Sequence, residues 1–93
     1  MIKVNEYFDG KVASLALNGT EGNATVGVME AGDYEFGTGT IEIMTVISGT
    51  MKVKLPGDTE WKTVNKFESF EVEKGVKFQV SVSEDTPYFC VYK

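Results

Sequence analysis

Residues 32–49 read GDYEFGTGTIEIMTVISG, and this stretch decides the fold. Gly32-Asp33 is a turn signal, and Tyr34-Glu35-Phe36 alternates aromatic with acidic, the pattern of a half-buried strand. Gly37-Thr38-Gly39 interrupts the chain again. A β-branched, apolar run then begins at Glu42 and stops at Ser48-Gly49. Two short strands lie between three glycine turns, which leaves no room for a helix.

The same punctuation continues in both directions. Gly10, Asn18-Gly19, Gly22-Asn23, Pro56-Gly57-Asp58, Gly75 and Asp85-Thr86-Pro87 cut the chain into pieces. The pieces are rich in β-formers: Val, Ile and Thr number 25, against three Leu and four Ala. No window carries the i, i+3, i+4, i+7 pattern of an amphipathic helix. Nine strands are expected, over 11–17, 24–29, 34–36, 42–48, 51–55, 59–64, 69–72, 76–82 and 88–92. Short strands at this spacing make a sandwich or barrel. The expected fold class is all-β, with little or no helix, in one domain over 1–93.

Alternation assigns faces. Phe78, Val80 and Val82 point one way, and Lys77, Gln79 and Ser81 the other. The last strand is apolar on both sides: Tyr88, Cys90 and Tyr92 on one, Phe89 and Val91 on the other. A chain of 93 residues has a thin core of its own. A second chain covering the outer side, as a homodimer, is the expected arrangement.

Composition excludes several chemistries. The chain has no histidine, and all nine of its cations are lysines. No Ser-His-Asp or Cys-His machinery and no imidazole-ligated metal can be built. No guanidinium is present to clamp a phosphate. The net charge of −5 argues against nucleic acid as a partner. No apolar run is long enough to span a bilayer, so no membrane partner is expected. The lone Cys90 cannot form an internal disulfide, and the start MIKVNEYFDGKV lacks the apolar core of a signal peptide. A cytoplasmic protein is expected.

The spacing Glu42-x6-Gly49 resembles the first motif of the cupin barrel, in which a His-x-His pair precedes the glutamate. Glu73-Lys74-Gly75-Val76-Lys77-Phe78 resembles the second cupin motif, with phenylalanine in place of the histidine. Phe36, Thr38 and Thr40 stand where the histidine pair would be. One carboxylate, Glu42, is left, and it does not hold a transition metal alone. The blocks NEYFDGKV, TVGVM, GDYEF, EIMTVISG, KVKLPGDTEW and YFCVY run nearly end to end. Together they resemble the small cupin family of broad-specificity pyrimidine/purine nucleoside phosphorylases. That resemblance implies a single RmlC-like jelly-roll barrel. It implies phosphorolysis of purine and pyrimidine nucleosides to free base and ribose 1-phosphate. Orthophosphate is then a co-substrate, and no metal or other cofactor is needed.

For that chemistry the sequence offers one catalytic candidate, Glu42. Alternation puts Met44, Val46 and Ser48 on its side, and a carboxyl among apolar neighbours holds its proton more tightly. It can bind ribose hydroxyls or protonate a leaving base. Tyr34, Phe36, Phe78, Tyr88 and Tyr92 are candidates for a base-stacking wall, which tolerates any base. Thr38, Thr40 and Met44 complete the candidate substrate contacts. Gly39, in a glycine-rich turn, and Lys11, in the family-like NEYFDGKV block, are the candidate phosphate contacts. Lys52 and Lys54 read as a solvated face, and Trp61 as packing beneath the turn at 56–58. Composition and spacing by themselves leave two other classes open. One is a non-catalytic cupin module binding a sugar, nucleoside or nucleotide. The other is a structural barrel that only dimerises.

Overall fold

The β-branched segments fold as ten antiparallel strands with no helix, in a computed structural model describing Met1–Lys93. They are β1 (Val4–Tyr7), β2 (Val12–Gly19), β3 (Gly22–Met29), β4 (Gly32–Gly37), β5 (Glu42–Val46), β6 (Met51–Lys54), β7 (Lys62–Val64), β8 (Ser69–Val72), β9 (Lys77–Val82) and β10 (Thr86–Tyr92). Six form one sheet in the order β1-β2-β3-β10-β5-β8, and four form a second in the order β4-β9-β6-β7. The expected barrel is thus two facing sheets joined by side chains, without one continuous ring of hydrogen bonds.

The strand pattern differs from expectation in two places. No strand is expected over residues 4–7, yet they pair with β2 in the register Val4↔Leu15 to Tyr7↔Val12. This edge strand has one partner, and its side chains are almost all exposed, so no alternation marks it. The strand expected over 59–64 shrinks to Lys62–Val64. Trp61 is 42% exposed, with the Lys54 ammonium 5.7 Å from its ring centre. It does not pack beneath the preceding turn. That turn is closed by Asp58, whose carboxylate accepts from the Leu55 N–H at 3.0 Å.

The core lies between the sheets. Val12, Met29, Met44 and Val46 from the larger sheet meet Met51, Val53, Phe78, Val80 and Val82 from the smaller. Full burial of one such side chain contributes about 1.5–3 kcal/mol. The two outer faces differ in kind. Register on the smaller sheet aligns Asp33, Ser81 and Lys52, then Glu35, Gln79 and Lys54, so its outer face is polar. Register on the larger sheet aligns Val4, Leu15, Val26 and Phe89, so its outer face is apolar.

Ser14, Gly27 and Tyr88 form an inner row, as direct cross-strand partners on β2, β3 and β10. A Cβ on Gly27 would lie 2.7 Å from the Tyr88 ring and hydroxyl and from the Ala13 carbonyl oxygen. The Tyr88 ring occupies the space a larger residue would fill. The β1–β2 turn is unusual too, since Phe8 and Asp9 both have left-handed φ, 53° and 57°. Such conformations cost non-glycine residues about 1–2 kcal/mol each. Here the turn brings Phe8 across to the smaller sheet, 5.0 Å from Tyr34 and 5.5 Å from Phe36 between ring centres.

Candidate active site

A cavity of about 170 Å³ opens between the sheets at one end of the sandwich. Strand β10 contributes Tyr88, Cys90 and Tyr92 to it, and β5 contributes Glu42 and Met44. Each set is spaced by two residues, because every second side chain of a strand faces inward. Phe36 and Gly37 of β4 and Phe78 of β9 form the opposite wall. Ser14, Met29 and Tyr7 complete the lining. The rings of Phe36 and Phe78 stand 5.7 Å apart, continuing the aromatic row that begins at Phe8.

Glu42 is the only carboxylate in the lining, and no lysine joins it. The Cys90 thiol donates to Glu42 Oε1 at 3.6 Å. Burial raises the Glu42 pKa, and the thiol hydrogen bond partly opposes that rise. The Cys90 thiol is itself pushed up to about 12, first by burial and then by the neighbouring Glu42 charge. Tyr88 is also pushed up to about 12, mainly by burial. Tyr92 is raised by burial, against a hydrogen bond with Thr25 at 3.0 Å. Four lining groups therefore hold their protons more tightly than they would in water. The arrangement suits donating hydrogen bonds to a bound ligand rather than attracting a cation.

The cavity gathers Glu42, Phe36, Met44, Phe78, Tyr88 and Tyr92 of the residues singled out in the sequence. The others lie outside its lining. The Tyr34 hydroxyl donates to the Glu30 carbonyl at 2.7 Å, and its ring packs under Phe8. Thr38 is buried and ties two loops together. Its hydroxyl donates to the Glu73 carbonyl at 2.6 Å and accepts from the Val76 N–H at 3.0 Å. Gly39 and Thr40 are exposed in the loop that joins β4 to β5. Lys11 is exposed at the start of β2, its N–H donating to the Phe8 carbonyl at 3.2 Å.

Tyr7, Ser14, Met29, Gly37 and Cys90 line the cavity although the sequence does not single them out as contacts. Period-two alternation from Tyr88 to Tyr92 passes through Cys90 and marks it. Tyr7 carries no such signal, because its strand carries none.

The cupin metal position does not suit this chain. Phe36, Thr38, Thr40 and Phe78 are not ligands, and nowhere do three His, Cys, Asp or Glu side chains converge.

Comparison with known proteins places the chain. A family profile described as pyrimidine/purine nucleoside phosphorylase matches residues 2–92. A curated pyrimidine/purine nucleoside phosphorylase from Pseudomonas putida is 57% identical, over 100% of this chain and 99% of its own. The chain belongs to the pyrimidine/purine nucleoside phosphorylase family.

Solved structures agree on the architecture. A protein of unknown function from Vibrio parahaemolyticus superposes with a TM-score of 0.95 at 43% identity, covering 100% of this chain and 99% of that one. An RmlC-like cupin from Shewanella frigidimarina superposes with a TM-score of 0.76 at 16% identity, covering 98% of this chain and 82% of that one. The second shows the fold alone. The jelly-roll architecture expected from the cupin-like motifs is therefore that of this nucleoside phosphorylase family member.

Proposed function

We propose that the chain is a metal-independent phosphorylase that converts purine and pyrimidine nucleosides and orthophosphate to free base and ribose 1-phosphate. The observation that carries this reading is Glu42, the one carboxyl in an aromatic cavity, whose burial there raises its pKa. Family membership supplies the reaction class.

In this reaction an oxygen of monohydrogen phosphate bonds to C1′ as the C1′–N bond breaks. The electron pair of that bond stays on the base nitrogen. Glu42 gives its proton to the departing base and recovers one from the phosphate as it becomes an ester. Tyr88, Tyr92 and Ser14 offer hydroxyls to the sugar, and Phe36 and Phe78 offer ring faces to whichever base is present. Stacking reads no hydrogen-bond pattern, which supports tolerance of both base classes.

The reading includes a homodimer through the outer face of the larger sheet. Leu15 and Val28 are each 47% exposed there, and Val26 40%. The other sheet's outer face is polar, so one face and not the other favours a second copy. The reading also places the protein in the cytoplasm, and no helix is long and apolar enough to cross a membrane.

The deciding experiment incubates chelator-treated protein with uridine, and separately adenosine, with and without orthophosphate. Free base and ribose 1-phosphate are quantified. Phosphate-dependent release of both products after chelation is the expected result. Base release without phosphate would mean a hydrolase. No release would return the chain to a binding module.

A further inference from the structure

The loop between β4 and β5 carries glycines that the fold does not require. Its flanking residues, Gly37 and Glu42, both line the cavity, so residues 38–41 link two points of its wall. Neither Gly37 nor Gly39 has a left-handed φ. A Cβ on either would meet nothing within 4 Å. Backbone geometry and packing thus leave both positions free to carry a side chain. A bare Cα at these positions admits close approach of a ligand to the backbone.

The same loop presents unused donors. The N–H groups of Gly39, Thr40 and Ile41 donate to no backbone carbonyl and no side chain. The loop that carries them is anchored at both ends. The Thr38 N–H donates to the Val76 carbonyl at 2.9 Å, and the Thr38 carbonyl accepts from the Gly75 N–H at 3.0 Å. The Ile41 carbonyl accepts from the Lys93 N–H at 2.8 Å. Three successive amides on a fixed loop are thus left free to donate to an anion. No lysine lines the adjoining cavity to do that work instead.

We propose that loop 37–41 is the orthophosphate site, with the N–H groups of Gly39, Thr40 and Ile41 as donors and the bare Cα atoms of Gly37 and Gly39 admitting the phosphate oxygens. The inference rests on the phosphorolysis reading, because it assigns that reaction's second substrate. It also explains how a chain without arginine or histidine handles an oxyanion. A dianion on this loop disfavours ionisation of Glu42 at the loop's end. Phosphate binding therefore loads the acid that the departing base needs.

Two measurements test this. In the first, ¹⁵N-labelled protein is titrated with inorganic phosphate and its amide signals are followed. Saturable shifts at Gly39, Thr40 and Ile41 are expected. Shifts confined to other residues, Lys11 among them, would overturn the assignment, whether or not the protein turns over. In the second, Gly39→Ala and Gly37→Ala are assayed against phosphate. Alanine fits both backbones, so Tm should stay at or above that of the parent. The phosphate KM should rise about tenfold or more, as expected when an added methyl holds the phosphate off its charge-assisted hydrogen bonds. Phosphate-dependent turnover with an unchanged phosphate KM in both variants would sink the loop and spare the phosphorylase reading. Turnover that ignores phosphate would sink that reading, and the titration would still judge the loop.

Discussion

The Cys90 thiol reaches the Glu42 carboxyl, donating to Oε1 across 3.6 Å. These residues are 48 positions apart in the chain and sit one strand apart, since Cys90 pairs with Met44 and Tyr92 with Glu42. The contact acts on chemistry. By stabilising the ionised carboxylate it lowers the Glu42 pKa against the larger rise from burial. Cys90→Ala removes that opposition, so Glu42 should keep its proton to a higher pH. If the protonated form drives catalysis, the alkaline fall of kcat/KM should move upward in this variant. A profile of kcat/KM against pH checks it, and a downward move or none would count against Glu42 as the acid.

Glu42 should also leave a signature in stability. Its folded pKa is raised above the ordinary 4.5, so the folded state holds the proton more tightly than the unfolded chain. The stability this provides is fully present below about 4.5 and is lost as pH rises through the folded pKa. Glu42→Gln cannot ionise and escapes that loss. Relative to the parent, the variant should gain Tm at pH 8 compared with pH 4. Parallel melting curves at the two values decide the matter, and an equal difference at both would show that burial does not act on the Glu42 charge.

Gly27 gives a prediction in packing. Its Cβ position is blocked at 2.7 Å by both the Ala13 carbonyl oxygen and the Tyr88 ring. One is backbone and the other the tip of a buried tyrosine ring, so the sheet or the ring must shift. Gly27→Ala should destabilise by about 1–3 kcal/mol, which lowers Tm by roughly 4–8 °C per kcal/mol in a domain this small. The displaced Tyr88 should also weaken substrate binding. Calorimetry and the nucleoside KM together report both effects.

The outer face of the larger sheet gives a fourth. Val26 sits mid-row between Leu15 and Phe89 and is 40% exposed in the single chain. Val26→Glu would bury a charge in the proposed dimer contact, where charges are depleted. Sedimentation at micromolar concentration should give a dimer for the parent and a monomer for the variant. A monomeric parent would reject the dimer.

The fold and half of the site are legible in the sequence where alternation is strong. Strands β4, β5, β9 and β10 turn every second side chain to the same face, so Phe36, Glu42, Met44, Phe78, Tyr88 and Tyr92 can be read onto one interior. Strand β1 has a single partner and little burial, so period two leaves no trace there, and Tyr7 stays hidden. Thr38 misleads for a different reason. A hydroxyl between two glycines reads locally as a ligand contact, but its partners at Glu73 and Val76 lie 35 and 38 residues away. Lys11 follows a turn shaped by the left-handed Phe8 and Asp9 and does not line the cavity, and nothing local in the sequence marks that turn's shape.

Strand β10 is one residue thick and works on both sides. Tyr88, Cys90 and Tyr92 line the cavity, while Pro87, Phe89 and Val91 sit on the opposite face. If that face seats a second copy, self-association and turnover share one ribbon of backbone. Turnover per chain then depends on how much of the protein is present. β10 is paired on both edges within the chain, to β3 and to β5, so a second copy would act on it through its outer side chains. Mass action would then set the catalytic output of this small protein without any added effector.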